Sequence, residues 1–384
     1  MKHLQIRNIK KSYCCVLLLA LLVLPCSGKG QKKEEKLATQ IGQMLMVGFR
    51  GLEVDESSPI VKDIKQDRVG GVILFDYDVA FKSPRRNIQS PRQLKKLTFD
   101  LQAASRTPLL IAVDQEGGRV ARLKKKRGFP PTVSQAELGE IDDITLTRRS
   151  ATRSAETLSS MGINLNLSPV VDVNTNPDNP VIGRLGRSFS SDPVIVARHA
   201  AAVITAHRKH NVLTAVKHFP GHGSSTQDSH HGFTDVTNSW TTKELIPYNM
   251  LFDSPGVDMV MTAHVFNANL DPIWPATLSS KILNNLLRQE MGFAGLIISD
   301  DMQMGAIRDN YSLKTALERT IKAGTDIIVF GNNLVYESDI SERALQIIHS
   351  LVREGRIPAS RIRQSYERIM ERKYSPGMAV RIPQ

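Results

Sequence analysis

The chain has 384 residues, 41% of them hydrophobic and 23% charged, which is enough apolar content for a sizeable globular core. The formal net charge is +12; Lys2, Arg7, Lys10 and Lys11 supply four of these charges in the first eleven residues and leave +8 for the remainder. A basic surface suits an anionic partner, but aromatics are only 5% and no zinc-finger, homeodomain or RNA-recognition pattern occurs, so nucleic acid is not an expected partner.

The basic start runs into "CCVLLLALLVLPCSG". This apolar run is too short for a comfortable membrane span and has the length of a signal-peptide core. Residues 1–28 therefore read as an export leader, cut near Cys26, Ser27 and Gly28. The expected setting is periplasmic, envelope-associated or secreted. Cleavage just before Cys26 would leave a cysteine for lipidation and envelope association, although Pro25 departs from the small residue that such a signal prefers. An uncleaved anchor is the third reading. All three cysteines lie in this leader, so the body has no disulfide and no thiol chemistry. "KGQKKEEK" reads as a polar linker over 29–36, and residues 37–384 as one domain, expected to act as a monomer.

Eight short apolar runs follow, at 41–49, 69–75, 108–115, 163–173, 212–219, 257–265, 295–301 and 325–331. Near-continuous apolar runs are what strands buried on both faces require. Longer helix-like stretches separate them. "DPVIVARHAAAVITAHRKH" places Val194, Ala197, Ala201 and Ile204 on one stripe. "LSSKILNNLLRQEMGF" starts at a serine cap and stops near Gly292. "SERALQIIHSLVREG" and "PASRIRQSYERIMERK" close the chain as two helices. Eight buried strands alternating with helices predict an α/β fold, a (β/α)8 TIM-type barrel. An open doubly wound sheet is the alternative, but no GxGxxG follows the first strand and no P-loop occurs. "KKKR" at 124–127 reads as a solvated loop.

In a barrel of this kind, function sits where strands end. Five runs end in polar groups: Asp114, Asp172, Lys217-His218, His264 and Asp300-Asp301. Asp300 would emerge from an apolar wall as a nucleophile, a ligand or a helix cap; Asp301 reads better as the cap. "KHFPGHGSSTQDSHHG" (217–232) concentrates His218, His222, His230 and His231. Pro220, Gly221 and Gly223 prevent the helical HxxxH arrangement of zinc proteases, so no metal site is expected. Asp228 can bend back onto His230, orienting its ring and raising its basicity, as a general acid/base needs. An Asx turn with an exposed histidine is the plainer alternative. "PGHGSST" reads as a flexible span.

"AVDQEGGRVARL" (112–123), "GRSFSSDP" (186–193), "KHFPGHGSSTQDSHHG", "MTAH" (261–264) and "SDDMQMGAI" (299–307) resemble, in that order, the motifs of glycoside hydrolase family 3. The likeness is to its single-domain bacterial β-N-acetylglucosaminidases, or β-hexosaminidases, and covers residues 37–375. It implies an exo-acting retaining glycosidase that removes terminal β-N-acetylglucosamine from peptidoglycan-derived or chito-oligosaccharide substrates and uses no cofactor. Asp300 would be the nucleophile, His230 the acid/base and Asp228 its orienting partner. Asp114, Arg122, Arg187, Lys217 and His218 would contact the sugar. His222 and His231 would shape the loop, and His264 would line the pocket. The alternatives are a β-glucosidase or a phosphorylase of the same family, a non-catalytic glycan-binding lipoprotein, and a zinc hydrolase.

Overall fold

The computed structural model describes residues 28–253 and 256–375. The leader through residue 27, with all three cysteines, lies outside the described residues, as does the tail from 376. Each of the eight apolar runs contains one barrel strand: β1 Leu45–Gly48, β2 Gly71–Leu74, β3 Leu110–Val113, β4 Leu165–Asn166, β5 Leu213–Phe219, β6 Met259–Thr262, β7 Leu296–Asp301 and β8 Ile327–Phe330. They pair in chain order, all parallel, and β8 closes on β1. Every residue of β1, β2, β3, β5, β6 and β8 is buried. These strands have no solvent face, so their sequence shows no alternation.

Helices follow the strands around the outside, with local caps where the sequence supplies them. Ser90 accepts from Gln93 N, Asp192 from Val194 N and Ser312 from Thr315 N. In the helix Lys281–Glu290, Ser279 rather than Ser280 supplies the oxygen, accepting from Ile282 N at 3.1 Å. The helix Pro193–Lys209 buries Val196, Ala197, Ala200, Val203 and Ile204, while Val194 and Ala201 face solvent. The predicted stripe is therefore rotated. The run Val194–Ala197 is apolar on all sides, and packing against the helix Ile144–Ser160 and the barrel selects the face.

The segment read as a polar linker, 29–36, is instead part of the helix Gly28–Gln43. Its lysines and glutamates are good helix formers. The helix packs on Ile340–Arg353 and Ala359–Lys373, where Glu34 meets His349 at 2.6 Å. The helix Ala359–Lys373 lies across the strands' N-terminal ends. Arg361 and Arg368 reach Asp326, Arg372 reaches Asp258, and buried Lys373 donates to Gln43 Oε1 and the Gly70 carbonyl. These bonds close the bottom of the barrel and leave the opposite end for the loops. Among the described residues, no helix is long and apolar enough to cross a membrane.

Candidate active site

A cavity of about 610 Å³ opens at the C-terminal end of the barrel. Asp114, Arg122, Arg187, Lys217, His218, Asp228, His230 and Asp300 all line it. The eight residues expected to act on or bind the sugar therefore face one space.

The two strands that carry most of these groups are irregular where they do so. The register of β5 against β6 shifts between Val216 and Phe219, and that of β7 against β8 shifts between Ile298 and Asp301. Such shifts re-aim side chains at the end of a strand. Here they present Lys217 and His218 from β5 and Asp300 from β7.

One wall is a continuous charge network. Lys217 Nζ lies 2.8 Å from Asp114 and 2.7 Å from Glu116. Arg122 Nη2 lies 3.0 Å from Asp114. Arg187 donates twice to Glu116, each time at 2.8 Å, and once to His218 Nε2 at 3.3 Å. His218 Nδ1 donates to Asp172 at 2.7 Å, and the backbone N–H groups of His218 and His222 donate to the other oxygen of that carboxylate. Burial pushes the Asp114 carboxyl up, but Lys217 and Arg122 outweigh it and hold it below the usual range. Glu116 behaves alike under Arg187 and Lys217, and Lys217 is held above its ordinary value by Asp114 and Glu116. The wall is thus ionised and its donors are fixed before any ligand arrives.

Glu116 and Asp172 were not among the expected site residues. Glu116 sits two residues after Asp114 within "DQEGGR". On an extended segment that spacing turns both carboxylates to one side, and this was the available signal. Asp172 was visible only as a polar strand end. Its role as the clamp of His218 and His222 depends on contacts 46 and 50 residues away.

Facing this wall are Asp300 and the loop after β5. Burial pushes the Asp300 carboxyl up, but nearby His264, His218 and His230 outweigh it and leave it below the usual range. His230 Nδ1 donates to Asp228 Oδ1 at 2.7 Å, and the same oxygen accepts from the His230 backbone N–H at 2.9 Å. Burial lowers the imidazole, yet the Asp228 bond and the Asp300 charge raise it above its ordinary value. Asp228 itself is held down at about 2. The Asx turn and the oriented histidine, alternatives in the sequence, are one structure.

The span "PGHGSST" is not flexible through most of its length. Gly221–Ser225 are buried. Glu244 accepts from the backbone of Gly223 and Ser224 at 2.9 and 3.0 Å. His222 bonds Ser225 Oγ and reaches Ser229 Oγ at 3.2 Å, and burial lowers its pKa to about 4. It is an uncharged internal tether. A β-carbon at Gly223 would lie 1.7 Å from the Val173 carbonyl oxygen. The glycine there permits close approach rather than motion.

The remaining histidines and basic residues take other positions, although His231 and Lys124 still border the cavity. His231 is 82% exposed, 3.7 Å from the outer oxygen of Asp228. His264 does not line the cavity as expected; it is buried, and its Nε2 donates to the Asp301 carbonyl at 3.0 Å. Asp301 does not cap the helix that follows: the helix Gly305–Arg308 has no side-chain cap, and Asp301 instead accepts from Gln303 N in an Asx turn and from Gly331 N of a neighbouring loop. In the "KKKR" run, Lys125 and Lys126 are exposed. Lys124 instead pairs with buried Asp76 at 2.6 Å on the cavity wall, and Arg127 donates to three loop carbonyls. Among the described residues, no three His, Cys, Asp or Glu side chains are grouped to hold a metal ion.

The family model described as "Glycosyl hydrolase family 3 N terminal domain" matches residues 36–371. Beta-hexosaminidase of Nitrosomonas eutropha is 35% identical over 302 residues, 75% of this chain and 80% of that protein. Beta-hexosaminidase A of Pseudoalteromonas piscicida is 34% identical over 336 residues, 78% of this chain but 54% of that protein. A solved glycoside hydrolase family 3 beta-N-acetylglucosaminidase from Paenibacillus sp. superposes with a TM-score of 0.80 at 35% identity, covering 88% of this chain and 62% of that one. The chain thus spans little more than half the length of some relatives and most of others. With its closed eight-stranded barrel and the matched motifs lining one cavity, the chain belongs to glycosyl hydrolase family 3.

Proposed function

We propose that the protein is an exo-acting, retaining β-N-acetylglucosaminidase. Its substrates would be peptidoglycan-derived fragments or chito-oligosaccharides ending in N-acetylglucosamine. One observation carries the reading: ionised Asp300 and Asp228-backed His230 face a single cavity whose opposite wall is the Asp114–Lys217–Glu116–Arg187 network. The beta-hexosaminidase names of the relatives support the same class. The basic and then apolar run at 1–28 supports an exported setting.

In this reading the Asp300 carboxylate attacks the anomeric carbon as the bond to the departing oxygen breaks. That oxygen takes the Nε2 proton of His230, while Nδ1–H stays bonded to Asp228. A glycosyl–Asp300 ester results. Neutral His230 then removes a proton from water, the water oxygen attacks the anomeric carbon, and Asp300 leaves as carboxylate. The usual second carboxylic acid is replaced by an imidazole. The replacement works because the same group must be an acid in one step and a base in the next. The network fixes donors for the sugar hydroxyls, since each buried hydroxyl left unpaired would cost about 1–3 kcal/mol.

The test is release of nitrophenol from 4-nitrophenyl N-acetyl-β-glucosaminide by wild type, Asp300→Ala and His230→Ala. Wild-type turnover with loss in both variants supports the reading. Full activity in Asp300→Ala would remove the nucleophile assignment, and preference for the 4-nitrophenyl glucoside would replace the substrate class.

A further inference from the structure

The Asp228–His230 pair fixes the ring and tautomer of the imidazole but not its distance from Asp300, because both partners ride on the same loop. His230 is 43% exposed and Asp228 26%, so neither is immobilised by packing. The tether from His222 to buried Ser229 holds the loop from within, and a second contact from outside the loop bears on that distance. The loop tip rests on the turn that leaves β7, the strand that carries Asp300. There the Gly305 N–H donates to the His230 carbonyl at 3.1 Å, and the Ala306 N–H donates to the Ser229 carbonyl at 3.2 Å. These are the first amides of the short helix Gly305–Arg308, which have no partner within the helix. The turn is itself tied to the strand end: Met304 N donates to the Asp301 carbonyl, and the Asp301 carboxylate accepts from Gln303 N.

Position 305 tolerates no side chain in this arrangement. A β-carbon there would stand 2.9 Å from the His231 carbonyl carbon and 3.0 Å from the Gly232 nitrogen. Both are main-chain atoms, which cannot swing aside as the end of a flexible side chain can. Relief requires the loop tip and the turn beneath it to move apart.

We propose that Gly305 is a positioning residue, whose missing side chain lets the acid/base loop dock on the segment leaving the nucleophile strand and so sets His230 against Asp300. The inference rests on the roles given above to Asp300 and His230. It predicts a selective defect. Lifting the tip should impair protonation of the departing oxygen and leave attack by Asp300 intact.

The experiment compares kcat/KM for chitobiose, whose leaving group needs a proton, with that for 2,4-dinitrophenyl N-acetyl-β-glucosaminide, whose leaving group does not. Gly305→Ala should lose about 10-fold or more on chitobiose, part of what general acid catalysis supplies, and stay within about threefold of wild type on the dinitrophenyl glycoside. The alkaline limb of its pH profile on chitobiose should move as well. Gly232→Ala, where an added β-carbon meets nothing within 4 Å, should match wild type on both substrates. Ala306→Pro removes only the amide bonded to Ser229, in the first helical turn where proline is tolerated, and decides the matter if Gly305→Ala does not fold. It should show the same selectivity. Wild-type turnover with a parallel loss on both substrates, or with no loss, would overturn this inference alone. A wild-type protein inert toward both would overturn the proposed activity and this inference with it.

Discussion

Replacing Glu116 with alanine should cost both stability and substrate binding. The carboxylate accepts two bonds from Arg187 at 2.8 Å and lies 2.7 Å from Lys217 Nζ, and it is almost completely buried. Removing it leaves two cations facing each other, with Lys217 keeping only Asp114 and Arg187 only neutral acceptors. Breaking a buried pair by removing one partner costs about 3–5 kcal/mol. For roughly 350 ordered residues at about 2.1 cal/mol/K each, the unfolding entropy is about 0.7 kcal/mol/K, so the melting temperature should drop by ~4–7 °C. The drop should depend on pH. Glu116 is held below its ordinary value, so its contribution is complete above the normal carboxylate range and disappears as pH falls through the lowered folded value. The difference between wild type and variant should therefore be large at neutral pH and shrink in acid. Thermal unfolding followed by circular dichroism across that range reads it directly, and KM for the nitrophenyl substrate should rise because Arg187 and Lys217 lose their fixed positions. Glu116→Ala/Arg187→Ala should be less destabilised than the two single variants together imply, since it removes one orphaned cation. A variant that melts within 1 °C of wild type at neutral pH, with unchanged KM, would refute the electrostatic reasoning.

Activity should follow a bell-shaped pH profile with unequal limbs. Asp300 is held below 3.8 and His230 above 6.5, so the acid limb of kcat/KM should fall below the first value and the alkaline limb above the second; limbs that cross this interval would contradict the assignment. Buried Glu244 is pushed up to about 8 from 4.5, so the folded state keeps its proton where the unfolded state has lost it, and stability should decline as pH rises from about 4.5 to 8. Glu244→Gln should flatten that decline in thermal melts, while losing one of the two loop amide bonds, because only one of its side-chain heavy atoms can accept. Arg86 is fully buried, pairs with Asp78 at 2.6 Å and donates to the Asn332 carbonyl at 2.7 Å, joining the β2 loop to the β8 loop at the cavity mouth. Because Asp78 keeps Arg50 at 2.7 Å, Arg86→Ala should cost less by urea unfolding than the about 3–5 kcal/mol of a fully orphaned buried charge, and should raise KM more than it lowers kcat.

Legibility in the sequence followed the range of the interactions. The eight strands could be read because burial on both faces writes an unbroken apolar run, a one-dimensional signal. The Asp228–His230 pair could be read because it closes over two residues as an Asx turn. The expected site residues share a cavity because a parallel barrel puts every strand's C-terminal end on one rim. The helix 193–209 was misread because its apolar residues surround the axis, so that only its neighbours choose a face. The Gly-rich span was misread because glycine serves motion and close approach equally well, and only the Val173 carbonyl beside Gly223 decides between them.

The sequence by itself therefore determined the barrel, the local Asp228–His230 pair and the identity of the groups on the rim. Tertiary structure alone decided which of those groups are wired together. Glu116 meets Arg187 across 71 residues, Lys217 meets Asp114 across 103, and the loop of Asp228 and His230 meets Gly305 where two strand ends converge. Partners at such separations leave no periodicity along the chain. They become neighbours only once the sheet has closed.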